Sequence, residues 1–337
     1  MKIKTLALAL AIGATGLTAG SQAFAAATII NPAGTVALGV NNEGHLNTST
    51  GNVAVNSGAT GLSYKFPDGS WRDATSPGCF CEGWGVSANG TTSGYANVST
   101  DGVANLSLTS FASTATTATS VVSLTSLPGL SVTHAYAPSA VASSTFFVAN
   151  VTITNTTGST LNDLKYVRVM DWDVPPSEFD EFVTIKGTAT TTLLDDSHDN
   201  GFQTANPLSN GDGSSGTNNV DFEDNGPADH GAYFRFKFGD LADGATRTFQ
   251  IFYGAAANEP AALAAIAAEG IELFSLGQSQ LCLDGCVADD DAPTYIFGFK
   301  GVGGTPVIPN PVPEPASLAL LGLGLAGLAS VRRRKAA

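Results

Sequence analysis

Phe147-Val-Ala-Asn-Val-Thr-Ile-Thr154 and Tyr233-Phe-Arg-Phe-Lys-Phe238 decide the fold. In the first stretch Phe147, Ala149, Val151 and Ile153 alternate with Val148, Asn150, Thr152 and Thr154. In the second, Phe234, Phe236 and Phe238 alternate with Tyr233, Arg235 and Lys237. Successive side chains on a strand point to opposite faces, so period two with one polar face predicts a half-buried antiparallel strand. The three Phe rings are expected to form a large part of the core.

Working outward, the chain reads as short strands between turn residues. Candidates are Thr35–Val40, Asn52–Asn56, Gly61–Phe66, Gly83–Ala88, Gly94–Val98, Val103–Thr109, Val121–Leu124 and Leu130–Ala135. Thr145–Asn155, Leu164–Val174, Phe182–Lys186, Thr190–Leu194, Ala232–Gly239, Arg247–Tyr253 and Thr294–Lys300 follow. Turns fall at Asn41-Asn42, Pro67-Asp68-Gly69, Thr156-Thr157-Gly158 and Ala242-Asp243-Gly244. One helix is expected over 259–269. Asn258 can cap it, Pro260 suits its first turn, and Gly270 can end it. The long Gly-, Asn- and Asp-rich stretch Gly201–Asp229 reads as a loop. The fold class is therefore all-β, a large antiparallel β-sandwich with one short helix. The segments Val151–Leu161 and Leu241–Phe249 resemble the edge and turn patterns of immunoglobulin-like sandwiches and of supersandwiches in carbohydrate-active proteins, which implies the same class.

Composition agrees. Of 337 residues, 43% are hydrophobic and only 13% charged, the opposite of a disordered chain. The formal net charge is −14. Six of the fifteen basic residues and one acid, Glu314, lie in the terminal segments. The region between them keeps nine basic against 28 acidic residues, about −19. Such a surface repels phosphate backbones, so no nucleic-acid partner is expected, and it favours cations.

The N-terminus has the parts of a secretory signal peptide. Lys2 and Lys4 precede an apolar run, and Ala23-Phe24-Ala25 supplies a small-x-small cleavage pattern. At the other end Val312-Pro313-Glu314-Pro315 leads into the apolar stretch Ala316–Val331, then Arg332-Arg333-Arg334-Lys335. As a helix those 16 residues would span roughly 24 Å, and the basic cluster would hold the C-terminus on the cytoplasmic side. Gly322–Gly327 fits G-x-G-x-x-G but lies inside this apolar stretch, with no preceding strand, so it is not a dinucleotide site.

Pro313, Glu314, Pro315, the apolar helix and Arg332, Arg333 and Arg334 together resemble the PEP-CTERM sorting signal. That resemblance implies recognition by an exosortase, a transient anchor in the inner membrane, and a final place at the cell surface or outside the cell, among exopolysaccharides. The expected organisation is signal peptide 1–25, sandwich body 26–305, Pro-rich linker 306–312 and sorting tail 313–337.

Cys79, Cys81, Cys282 and Cys286 reach an oxidising compartment, so disulfides are expected. On a strand Cys79 and Cys81 would face the same way, which favours two cross-links between the pairs. A local Cys282–Cys286 bridge is the alternative.

The acidic residues carry the candidate chemistry. Asp171 and Asp173 share one strand face beside Glu178, Asp180 and Glu181. Asp195 and Asp199 form a second group, Asp221, Glu223, Asp224 and Asp229 a third, and Asp289–Asp291 a fourth. Oxygen donors on loops are what Ca²⁺ takes, in sets of six to eight, and Ca²⁺ is the one cofactor the composition suggests. Asp171, Asp173, Asp195 and Asp199 are the named candidates, and solvated acidic loops are the other reading. His198 and His230 would be loop ligands or simply exposed. Trp71 and Trp84 flank a Cys- and Gly-rich segment and read either as a carbohydrate platform or as buried packing. No H-E-x-x-H or G-x-S-x-G occurs. The expectation is an exported, non-enzymatic surface or matrix protein. A carbohydrate-binding module, or a glycan-active enzyme using Asp171 and Asp173 as acid and base, are the alternatives.

Overall fold

A computed structural model of the protein describes residues 26–283 and 285–307. The expected signal peptide, sorting motif at Pro313–Pro315 and Arg332–Arg334, and apolar helix fall outside the described residues. Among the described residues no helix is long and apolar enough to cross a membrane.

The alternating stretch around Phe147 becomes the strand Phe146–Asn155 in a nine-stranded antiparallel sheet. In spatial order its strands are Phe222–Ala228, Glu181–Lys186, Leu273–Gln278, Thr294–Lys300, Thr246–Ala256, Phe146–Asn155, Leu127–Pro138, Ala118–Leu124 and Leu106–Ser113. The second stretch lies in His230–Leu241, within a six-stranded sheet ordered Leu194–His198, His230–Leu241, Leu161–Trp172, Gly83–Ala88, Thr92–Asn97 and Gly102–Ala104. Residues 27–73 add a four-stranded sheet, and Gln280–Cys282 pairs with Cys286–Ala288 as a small hairpin.

The inward faces of the two large sheets meet in one core. Phe147, Ala149, Val151 and Ile153 come from one side, and Phe234, Phe236 and Phe238 from the other. Ring centroids lie 4.8 Å apart for Phe236–Phe299 and 5.2 Å for Phe238–Phe249. Each buried Phe contributes roughly 1.5–3 kcal/mol. The helix Glu259–Glu269 covers the outer face of the nine-stranded sheet, setting Ala262 and Ile266 against Phe146, Val148 and Phe252. The Asn258 side chain accepts from the Ala261 N–H, and Gly270 takes the left-handed conformation that closes the helix.

Four expectations change. Thr190–Leu194 is not a strand: Thr188–Thr190 closes a 3-10 turn and the strand runs Leu194–His198. Asn52–Asn56 is not a strand: the Asn52 side chain accepts from Ala54 N–H and donates to Ser57 C=O, closing a local turn instead. Gly201–Asp229 is not all loop, since Phe222–Ala228 pairs with Glu181–Lys186 at the sheet edge. Tyr233 and Arg235 do not face water. The edge strand Leu194–His198 and the loop after it cover them: Tyr233 stacks on His198 at 4.5 Å, and Arg235 donates to Asp195 and to the Ser209 carbonyl.

Candidate metal centre

Strand alternation sets the site. Trp172 turns into the sandwich, where its indole N–H donates to Ser275 Oγ at 3.1 Å. Asp171, one residue before it, and Asp173, one after, turn the other way, as the alternation predicts. Gly201 and Gly231 let neighbouring chain press against Asp171. A Cβ at Gly201 would lie 2.6 Å from the Asp171 Cα, and one at Gly231 would lie 2.0 Å from the Met170 carbonyl. The result is two buried carboxylates, Asp171 at 1% and Asp173 at 0% exposure.

Neither carboxylate has a protein donor. Both oxygens of Asp173 and Oδ1 of Asp171 are buried without a hydrogen-bond partner. Asp171 Oδ2 touches only the Cys79 sulfur, at 3.3 Å, which in a disulfide has no proton to give. Asp229, in the turn before the strand His230–Leu241, brings a third carboxylate. One oxygen from each of Asp171, Asp173 and Asp229 falls within 4.8 Å of the others. Burial, reinforced by the neighbouring acids, pushes the Asp171 carboxyl well above the usual carboxylate range. The same causes bring Asp173 to about 8.

Glu181 braces this nest from outside. It accepts from the backbone N–H of His230 and of Phe179, each at 3.0 Å, and burial carries its carboxyl to about 9. It is therefore spoken for, whereas Asp171 and Asp173 are not. An unpaired buried carboxylate costs several kcal/mol, which a bound cation would offset. The donors are all oxygens of hard carboxylates, the set Ca²⁺ takes, so the residues fit that ion.

Asp195 and Asp199 do not join the nest. Asp195 accepts from Arg235 Nε at 2.7 Å and pairs with Lys165 at 3.4 Å. Asp199 accepts from Ser214, Thr217, Asn225 and His230. Burial raises the Asp199 carboxyl, but those hydrogen bonds outweigh it and hold it well below the usual range. With Asp199 ionised, the His230 Nδ1–H donates to it, while His230 Nε2 stays buried without a partner. His198 and His230 are buried, against the expectation of exposed loop residues.

An open cleft of about 420 Å³ adjoins the nest. Asp199, Asn200, Phe202, Ser214, Asn225, Asp229 and His230 are among its walls. Asp171 and Asp173 are not among the residues that line it.

The cysteines pair locally, as Cys79–Cys81 and Cys282–Cys286, with Cα atoms 5.3 and 4.2 Å apart. This overturns the expected cross-links between the pairs. Residues 79–81 run through an irregular connection rather than a strand, so the same-face objection to their mutual bond does not hold. Trp84 offers no platform: it is fully buried, donates to the Glu43 carbonyl at 2.8 Å, and packs beside His134 at 4.6 Å. Trp71 sits half-buried on the small sheet, with Lys65 Nζ 5.8 Å from its ring centre.

Sequence reasoning found the Asp171–Asp173 pair because strand period exposes it. Asp229 is one of four acids in its group, with Asp221, Glu223 and Asp224, and no periodicity singles it out.

Comparison with known proteins adds an address. Residues 311–335 match the family described as the PEP-CTERM protein-sorting motif. The motif implies an exported protein of the kind an exosortase sorts, with a membrane-anchoring C-terminal tail. No curated protein matches the chain. Among solved structures, a galactose mutarotase-like protein from Lactobacillus casei ATCC 334 is similar, at 12% identity and a TM-score of 0.31, over 81% of this chain and 87% of that one. A likeness that distant transfers no site.

Proposed function

We propose that this chain is a non-enzymatic cell-surface or extracellular-matrix protein, associated with exopolysaccharide, whose body carries a structural Ca²⁺ at Asp171, Asp173 and Asp229. One observation carries the cation: two carboxylates buried at 1% and 0% exposure with no protein donor on their facing oxygens. The matrix role is supported by the sorting motif and by a strongly acidic body that stays soluble outside the cell.

The test is thermal melting of the purified chain with Ca²⁺ and with chelator. Calcium at about 100 times its dissociation constant adds about 2.7 kcal/mol, a rise of several degrees. Asp173→Asn separates a site from a scaffold. In chelator it should melt no lower than the unchanged protein, because an amide replaces a buried carboxyl that has no protein donor and whose charge burial already disfavours. It should also lose the response to Ca²⁺. A wild-type melting point indifferent to Ca²⁺ sinks the cation, and failure to sediment with purified exopolysaccharide sinks the association.

A further inference from the structure

We infer that the cation at Asp171, Asp173 and Asp229 is not sealed in but faces the adjoining cleft, where it takes the hydroxyl or carboxylate oxygens of a polysaccharide as its outer ligands. The inference rests on the cation reading above and names the partner of the same site.

The three carboxylates differ in access. Asp171 and Asp173 are buried, while Asp229 is exposed and stands on the cleft wall. An ion seated between them is therefore held from the protein side and open on the Asp229 side. The nest offers three carboxylates, and Ca²⁺ fills six to eight positions, so some of its coordination is left to groups arriving through the cleft.

The cleft suits a sugar better than other oxygen ligands. Its wall carries polar side chains from Asn200, Asn225 and Ser214; Ser214 and Asn225 already donate to Asp199, and their remaining hydrogen-bonding capacity suits a polyol. Phe202 stands on the same wall with 43% of its surface exposed, an apolar ring face for the C–H side of a pyranose. No Lys or Arg lines it, so a phosphate would find no protein cation to pair with. The body's own charge, about −19, repels an acidic glycan unless a cation stands between them.

The experiment titrates the full chain, purified in detergent, with two probes: an oligoguluronate and a neutral manno-oligosaccharide. Each is measured by calorimetry at fixed free Ca²⁺ and again in chelator, after Ca²⁺ binding alone has been recorded. Binding of at least one probe with Ca²⁺, lost in chelator, is the expected result. The probe that binds tells whether paired hydroxyls or a uronate carboxylate completes the coordination. Phe202→Ala should weaken the probe by about fivefold and leave Ca²⁺ affinity unchanged, since its side chain is partly exposed on the cleft wall and offers the ion no oxygen. Asp229→Asn should weaken both. If Ca²⁺ binds and raises the melting point but neither probe binds, or either binds equally in chelator, the glycan inference is overturned and the cation reading stands. If Ca²⁺ does not bind, the cation reading falls and the inference with it.

Discussion

Arg168 and Glu82 form an ion pair at the centre of the sandwich, both at 0% exposure. Arg168 also donates to the Gly44 carbonyl at 3.2 Å and to the Tyr136 hydroxyl at 3.2 Å. Glu82 accepts from the Leu46 N–H at 2.7 Å and the Tyr253 hydroxyl at 3.1 Å. Burial pushes the Tyr136 hydroxyl up to about 12, so it stays a neutral donor or acceptor across the physiological range. Removing one partner leaves an uncompensated buried charge. Arg168→Met or Glu82→Leu alone should cost about 3–5 kcal/mol, while the double apolar change should cost much less than their sum. Urea unfolding of the two single variants and the double variant checks this, and additive losses would refute the coupling. The pair was legible only in part. Arg168 shares the inward register of Tyr166, Met170 and Trp172 and is the one charged residue among them, a signal that the acidic loops drew attention away from. Its partner, 86 residues earlier, leaves no local trace. The same blindness explains Asp195 and Asp199. As sequence they look like free oxygen donors, and only the fold brings Arg235, Thr217 and Asn225 to satisfy them.

Elements with a strict period were read correctly, because period is a local property. Phe146–Asn155 buries the side it was expected to bury, and Glu259–Glu269 begins and ends at its expected cap residues. Reading failed where an element's second face depends on a remote neighbour. Val148 sits on the polar side of its strand yet is 7% exposed, because the helix, more than a hundred residues later, lies over it. That helix is apolar nearly all round, a run of Ala with Leu263 and Ile266, so its ends rather than its faces define it. The cap carries a measurable share of its stability. Asn258→Ala removes the acceptor for the Ala261 N–H and should cost about 1 kcal/mol. Asn258→Asp should cost almost nothing, since a carboxylate accepts the same bond and favours a helix N-terminus. Chemical denaturation of the pair of variants would expose a cap that does no work if both proved neutral.

At the scale of the molecule, the question is what joins the first sheet to the last strands. Cross-links between the two cysteine pairs would have closed a loop of about 200 residues, worth up to about 5 kcal/mol in the chain-entropy model. The observed bridges instead close loops with sequence separations of 2 and 4. By the same relation each restrains the unfolded chain by only about 2 kcal/mol. The distant ends are joined without covalent help. Tyr295, in the last strand, donates to the Arg72 carbonyl at 3.0 Å, and Tyr253 reaches Glu82. Ile29, Val36, Leu38 and Leu62 of the first sheet share one core with Phe297 and Phe299. Reduction should therefore leave a folded, cooperatively melting protein. The exposed Cys282–Cys286 hairpin should loosen with little effect on the main transition, whereas Cys79–Cys81 abuts Asp171. Cys282→Ser with Cys286→Ser should lower the melting point by no more than about 3–4 °C and respond equally to Ca²⁺. Cys79→Ser with Cys81→Ser should lower the response to Ca²⁺, because it frees the segment that walls the carboxylate nest. Calorimetry of both pairs with and without Ca²⁺ reads each effect separately. A large, Ca²⁺-independent loss from the 282–286 pair would mean that this small hairpin, and not the shared core, holds the end of the body in place.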